Sequence, residues 1–216
     1  MERKVSAKTL KLVQLALLGA LIVVLAFTPF IGYIPLGVTR ATIVHIPVII
    51  GSILLGPKMG AVLGGLFGLT SFINNSFISP SITSFTFTPL YSVGEFHGNV
   101  WSLVICFVPR ILVGVVPYYV YKFVMWLFKG RKGGETVSLA LAGLSGALTN
   151  TLLVMNLIYF CFGEQYAAAK EKAFEGFYGV ILSVIGINGV PEAIVAAILT
   201  VAICKTLFKV QKKRPA

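Results

Sequence analysis

The sequence has few charged residues for its length. Charged residues make up 12% of the 216 residues, whereas hydrophobic residues make up 57% and the mean hydropathy is +0.92. Soluble domains carry about 25% charged residues. The composition therefore excludes a soluble domain and predicts an integral membrane protein.

Cysteine is scarce, and the common catalytic and nucleotide-binding motifs are absent. Cys106, Cys161 and Cys204 fall in separate apolar runs without metal-site spacing, which favours a packing role. The sequence has no Gly-rich nucleotide loop, no Gly-x-Ser-x-Gly nucleophile and no His-Glu-x-x-His zinc site. We therefore expect a chain that is not an enzyme and that holds no metal or cofactor of its own.

The apolar runs predict an all-α bundle rather than a barrel. A hydrocarbon core of about 30 Å takes about 20 helical residues, and the runs lack the alternating pattern of barrel strands. The first run is too long for the core of a signal peptide, so we interpret it as the first helix. We predict a single transmembrane domain, 1–216, with six helices at approximately 10–30, 41–56, 59–78, 100–128, 137–161 and 177–208.

Positive charge is unevenly placed, and this predicts the topology. The net charge is +11, and fourteen of the eighteen basic residues fall on one side if both termini lie on that side. Basic residues mark the cytoplasmic ends of membrane helices, so we expect both termini in the cytoplasm. This placement explains the charge without nucleic-acid binding. The basic residues elsewhere are Arg40, Arg110, Lys170 and Lys172.

One guanidinium is predicted to lie inside a membrane helix. Arg110 is flanked by Pro109 and Pro117, and an arginine in hydrocarbon usually faces a partner, a cavity or a ligand. Further polar residues fall toward the outer halves of the predicted helices. Two guanidiniums with several amides suit a small molecule that carries a carboxylate and hydroxyl or amide groups. The candidate substrate-binding residues are Arg40, Asn74, Asn75, Arg110, Asn150, Asn188 and Glu192.

Structural roles are open for several of these residues. Arg110 and Glu192 could simply form a buried structural ion pair, and asparagines inside bundles often serve only to join helices. His45 is interpreted as a packed side chain rather than a ligand-binding residue.

Small residues recur every four positions in two predicted helices. Gly60, Gly64 and Gly68 predict a close approach of the third helix to a neighbour, and Ala16 with Ala20 predicts a helix-packing surface on the first.

Together these features resemble the substrate-binding S component of energy-coupling factor (ECF) vitamin transporters. The most specific matches are 34–47 (IPLGVTRATIVHIP), 51–64 (GSILLGPKMGAVLG) and 109–114 (PRILVG), with 146–151 (GALTNT) and 188–193 (NGVPEA) in support. The resemblance implies an S-component-like bundle of six helices in the plasma membrane of a bacterium. It also implies that the protein binds a vitamin at its outer side.

The resemblance implies partner chains as well. In this family an EcfT-type transmembrane coupling protein and two ATPase subunits supply the energy for uptake. Ala16 and Ala20 match the family's surface for the coupling protein. The chain itself would be a capture subunit in the lipid bilayer, without a cofactor.

Within the family the chain looks most like the pantothenate-specific members. Folate-type members usually carry an Asp where this chain has 68–75 (GLTSFINN). Arg110 or Arg40 would pair with the vitamin carboxylate, while Asn150 and Asn188 take its other polar groups. Two alternatives stay open, namely an S component for folate, pyridoxine or a thiamine precursor, and a self-sufficient secondary transporter.

Overall fold

Helices make up most of the structure, a computed structural model that describes residues 6–28, 32–36, 39–169 and 176–213. Two π-helical segments, Asn74–Ile78 and Ile185–Gly189, and a short 3₁₀ turn, Ser84–Thr86, lie between the helices. The α-helices are α1 (Ala7–Phe27), α2 (His45–Leu55), α3 (Pro57–Ile73), α4 (Val100–Val113), α5 (Val116–Leu127), α6 (Gly134–Ala169), α7 (Phe177–Val184) and α8 (Val190–Lys213).

Two small hairpins complete the fold. In the first, β1 (Tyr33–Leu36) pairs antiparallel with β2 (Thr39–Thr42). In the second, β3 (Ser92–Val93) pairs with β4 (Phe96–His97). The predicted start of the second helix at residue 41 is wrong, because residues 41 and 42 belong to β2 and the helix begins at His45.

Within the described residues, five helical stretches are long and apolar enough to cross a membrane. The remaining predicted span, 41–56, corresponds to α2, which has 11 residues and is too short for that criterion. At 1.5 Å per residue, α2 extends about 16 Å. The number of six spans therefore stays a prediction. The five stretches are Ala7–Phe27, Pro57–Ile78, Val100–Leu127, Gly134–Ala169 and Phe177–Val210.

Prolines explain two interruptions of the predicted helices. The predicted helix 100–128 is broken after Val113, and Pro117 lies in the first turn of α5, where its missing N–H costs nothing. The last predicted helix contains the π-helical segment Ile185–Gly189, two residues before Pro191. The predicted helix 137–161 is longer in the structure, since α6 continues to Ala169 across a kink at Phe162.

A row of glycines joins α3 to α4. A Cβ added at Gly60 would overlap the backbone oxygen of Gly114, and one added at Gly64 would overlap that of Arg110. One added at Gly68 would lie 2.8 Å from a ring carbon of Phe107. The predicted close approach of the third helix to a neighbour is confirmed, and the neighbour is the helix that carries Arg110.

Helix α2 lies at the centre of the bundle. Each residue from His45 to Ile53 is buried, and α2 packs against α1, α3, α5, α6 and α8. Burial on all sides explains why its sequence is apolar all round rather than amphipathic.

The two ends of the bundle differ in character. We name one the hairpin end, because both hairpins and the segment 79–99 lie there. Ser102 Oγ donates to the Phe85 backbone oxygen (2.7 Å) and so joins this segment to the start of α4. The opposite end, which we name the basic end, carries Lys58 and the connector 128–133 with its lysines and arginine.

Candidate ligand-binding site

Arg110 lies inside the bundle on α4. Its side chain is 7% exposed, and Nη1 donates a hydrogen bond of 2.7 Å to the backbone oxygen of Ile105. That oxygen has no helical donor because the residue four positions later is Pro109, which lacks an N–H. The local sequence thus directs the guanidinium along its own helix and into the protein interior.

Two aromatic rings enclose the Arg110 guanidinium. Its central carbon lies 5.6 Å from the ring centroid of Phe67 in α3 and 5.1 Å from that of Phe87 in the segment 79–99. A cation over an aromatic face gains about 0.5–2 kcal/mol, more when it is shielded from water. The segment 79–99 therefore covers the charge from the hairpin end.

Asn150 lies near the depth of Arg110 on the neighbouring helix α6. Helices α4 and α6 pack together, and a Cβ added at Gly146 of α6 would lie 3.0 Å from Pro117 at the start of α5. From that contact toward the hairpin end, Asn150 is about 6 Å away and Arg110 about 10 Å away, so their depths differ by less than about one helical turn. Asn150 is 8% exposed, and its Oδ1 has no hydrogen-bond partner among the described residues.

Asn188 reaches the same depth from the last helical stretch. It is 6% exposed and lies in the π-helical segment Ile185–Gly189. A Cβ added at Gly189 would lie 2.8 Å from Thr151 Cγ2, so this segment packs directly beside Asn150 on α6. Three helical stretches therefore each bring one buried polar side chain to one depth. We name Arg110, Asn150 and Asn188 together the polar layer.

Glu192 holds the first hairpin against α8. Its Oε1 accepts a hydrogen bond from the backbone N–H of Thr42 at the end of β2, and β2 also packs on the segment that contains Asn188. Glu192 also lies beside the Thr151 side chain of α6, whereas the contacts described for Arg110 are with the Ile105 oxygen and two rings. Glu192 positions β2 beside the polar layer.

Asn74 and Asn75 lie nearer the hairpin end than the polar layer does. Gly64 of α3 lies at the level of the layer, and Asn74 is ten residues further along, about 15 Å. Asn74 Nδ2 donates to the Ala26 backbone oxygen (3.1 Å), and Asn75 Oδ1 accepts from Ser84 Oγ (2.9 Å). These contacts join α1 and the segment 79–99 to α3, so the structure does not bring the two asparagines into the layer.

Arg40 is described through its backbone alone. It lies in β2 opposite Pro35, two residues before the Thr42 N–H that Glu192 accepts from. The side chain of Arg40 is outside the described residues, so its role in binding stays a prediction.

His45 is a buried residue that carries two polar ring atoms. It is 1% exposed at the start of α2, so its predicted burial is confirmed. Both ring nitrogens are without a hydrogen-bond partner in the described part of the chain, although the ring lies near the Thr42 backbone. Buried polar groups nearly always have partners. The available signal was a lone imidazole in the apolar run 43–50 (IVHIPVII).

A bundle of apolar helices with a guanidinium and two amides buried at one depth is the architecture of a multi-pass membrane protein with an internal polar site. The chain matches the model of the family "ECF transporter, substrate-specific component" over residues 10–204. It belongs to this family, which confirms the resemblance found in its motifs and makes it a transport protein rather than an enzyme.

Two relatives from bacteria match nearly the whole chain. It is 37% identical over 193 residues to the "Pantothenic acid transporter PanT" of Lactococcus lactis subsp. cremoris, covering 89% of this chain and 90% of the relative. It is 29% identical over 215 residues to the "Pantothenate transporter PanT" of Leuconostoc mesenteroides subsp. mesenteroides, covering 95% and 96%.

Proposed function

We propose that this chain is the substrate-capture subunit of an ECF importer and that it binds pantothenate. The observation that carries the proposal is the buried Arg110, in a chain 37% identical over 89% of its length to a transporter named for pantothenic acid. A buried guanidinium beside two buried amides offers a binding site for an anion that also carries neutral polar groups.

The polar layer offers partners for the polar groups that pantothenate carries. The vitamin carries one carboxylate, one amide and two hydroxyls. Arg110 supplies the positive charge for the carboxylate, with Arg40 of β2 as the alternative. Asn150 and Asn188 supply amide groups that both donate and accept. Glu192 supports the site by holding β2 next to it.

The orientation follows from the charge at the basic end. Lysine and arginine mark cytoplasmic ends, so both termini lie in the cytoplasm and the hairpin end faces outward. Pantothenate then enters from the hairpin end. Energy comes from an EcfT-type coupling protein and two ATPase subunits, since the chain has no nucleotide-binding motif of its own.

The purified protein should bind pantothenate without ATP. Calorimetry in detergent or nanodiscs should give saturable binding at one site per chain. Excess folate, pyridoxine or thiamine should fail to displace labelled pantothenate. Displacement by another vitamin would contradict the assignment of pantothenate. Uptake by this chain alone into proteoliposomes under an ion gradient would contradict the role of a capture subunit and indicate a secondary transporter.

Ala16→Leu and Ala20→Leu should spare vitamin binding and impair uptake. Both alanines are exposed on α1 and, four residues apart, share one face. A leucine there would hold a partner helix at a distance without reaching the polar layer. Uptake is measured with the coupling protein and ATPases co-expressed, and binding with the variant chain alone. Ala168→Leu, at an exposed alanine of the hairpin end, is the control. Normal uptake by both variants would contradict the assigned surface.

A further inference from the structure

We infer that His45 is a ligand-binding side chain and that, with Asn150, it recognises the hydroxyl-bearing end of the ligand. The inference rests on the proposed function for the identity of that ligand. It divides the site into two parts. Arg110 holds the carboxylate, and the pair His45 and Asn150 holds neutral groups that both donate and accept hydrogen bonds.

His45 and Asn150 lie on facing surfaces of α2 and α6. The side chain of Ile49 in α2 lies over Gly146 in α6, within 2.6 Å of where a Cβ at Gly146 would be. His45 is four residues from Ile49, and Asn150 is four residues from Gly146. Side chains four residues apart share a helix face. Both are therefore displaced from the same contact by about 6 Å along their helices.

His45 and Asn150 are displaced from the contact of Ile49 with Gly146 in the same direction. Helix α2 leaves the first hairpin and runs toward the basic end, whereas α6 ends at the hairpin end. His45 precedes Ile49 and Asn150 follows Gly146, so both lie on the hairpin-end side of the contact. A separate contact supports this direction. Thr42 lies three residues before His45, and its N–H donates to Glu192, which lies near Thr151 of α6.

Buried polar atoms of both His45 and Asn150 are available for a ligand. His45 Nδ1, His45 Nε2 and Asn150 Oδ1 are buried and make no hydrogen bond of good geometry to the described residues, although the His45 ring lies near the Thr42 backbone. Leaving such a group unpaired costs about 1–3 kcal/mol. Two side chains that carry such atoms, on facing surfaces and near the depth of Arg110, indicate that a bound molecule supplies the partners.

His45 and Asn150 can each donate and accept hydrogen bonds. A neutral imidazole has one donor and one acceptor, and a side-chain amide has both kinds of group. A hydroxyl also donates and accepts, so it can satisfy His45 and Asn150 together. A carboxylate only accepts, and it matches a guanidinium, which only donates. The donor and acceptor inventory thus assigns the hydroxyls to the pair and the carboxylate to Arg110.

The test is a comparison of two ligands on variants of one residue. The ligands are pantothenate and an N-acyl-β-alanine analogue that keeps the carboxylate, amide and methyl groups but lacks both hydroxyls. His45→Leu should lower pantothenate affinity about tenfold or more, because the hydroxyl partner is lost. It should lower analogue affinity less than about threefold. His45→Gln, which keeps a donor and an acceptor, should recover most of the pantothenate affinity.

Ser52→Ala is the matched control on the same helix. Ser52 is also fully buried, and its Oγ has no hydrogen-bond partner in the described chain. It lies two turns from His45, about 10 Å nearer the basic end, so this variant should bind both ligands as the wild type does. An equal loss of the two ligands in folded His45→Leu, or no loss of pantothenate, would overturn the inference.

A second measurement needs no substitution at His45. The chain has two histidines, and the other, His97, is exposed on β4. Nitrogen-15 NMR of histidine-labelled His97→Gln protein therefore reports His45 alone. Saturating pantothenate should shift its ring resonances, while the analogue should leave them near their ligand-free positions.

Different results would contradict the ligand-binding role of His45 and the proposed function. A wild-type protein that binds another vitamin in place of pantothenate contradicts the proposed function alone. The same NMR measurement then applies to that vitamin. Unshifted His45 resonances in protein saturated with the vitamin that it does bind would overturn the inference.

Discussion

Arg110→Ala should weaken binding of pantothenate by about 2–5 kcal/mol, which corresponds to about 30- to 5,000-fold in Kd. The side chain is 7% exposed and its guanidinium lies between the rings of Phe67 and Phe87. Without it, the vitamin carboxylate would lose its charged partner in a site shielded from water, where electrostatic interactions are strong. Calorimetry of the purified variant against the wild type measures the change.

The loss should be specific to the buried guanidinium. Arg131→Ala is the matched control, since its guanidinium also lies over a ring, 5.7 Å from the centroid of Phe128, but on the exposed surface of the basic end. Its affinity should stay unchanged. Arg110→Lys should recover part of the affinity, because a lysine keeps the charge and loses the planar fork. An Arg110→Ala variant with wild-type melting temperature and affinity would reduce Arg110 to a structural role.

The helices and the contact of α3 with α4 could be predicted because their signals are local. Long apolar runs predict membrane helices whatever their neighbours are. Glycines at Gly60, Gly64 and Gly68 leave one helix face without side chains, so a neighbouring backbone can approach it. The glycine pattern does not show which helix approaches, because that depends on the arrangement of the whole bundle.

The start of α2 could not be predicted from hydrophobicity. Residues 41–44 (ATIV) are as apolar as the helix that follows, and β-branched residues are common in strands. The pairing of β1 with β2 decides the boundary. That pairing depends on contacts between segments that are separate in the sequence.

The candidate site was predicted in part, because sequence shows which residues are polar but not at what depth they lie. Arg110, Asn150 and Asn188 stood out as polar residues in apolar helices, and they occupy one depth. Asn74 and Asn75 carry the same signal, but the π-helical segment Asn74–Ile78 places them where they join other segments. His45 was interpreted as a packed side chain from its apolar neighbours, and a sequence does not show whether a buried side chain has hydrogen-bond partners.

Gly64→Ala should damage both the fold and the site, although it adds a single methyl group. A Cβ at this position would overlap the backbone oxygen of Arg110. Helices α3 and α4 would have to separate, and overpacking of this kind typically costs about 1–3 kcal/mol. The displaced backbone carries the guanidinium, so we expect a lower melting temperature together with an affinity loss of about tenfold, since small misplacements in a preorganised site are costly.

Gly65→Ala separates this effect from the general effect of replacing a helical glycine. The two glycines are adjacent in α3, and a Cβ at Gly65 would have no atom within 4 Å. Alanine there should leave the affinity unchanged and the melting temperature equal or higher, because glycine is the weaker helix former. Thermal unfolding followed by fluorescence and calorimetry with pantothenate measure both quantities. If Gly64→Ala and Gly65→Ala had the same melting temperature and the same affinity for pantothenate, the glycine row would not set the position of Arg110. The depth assigned to the polar layer would then lose its support from α3.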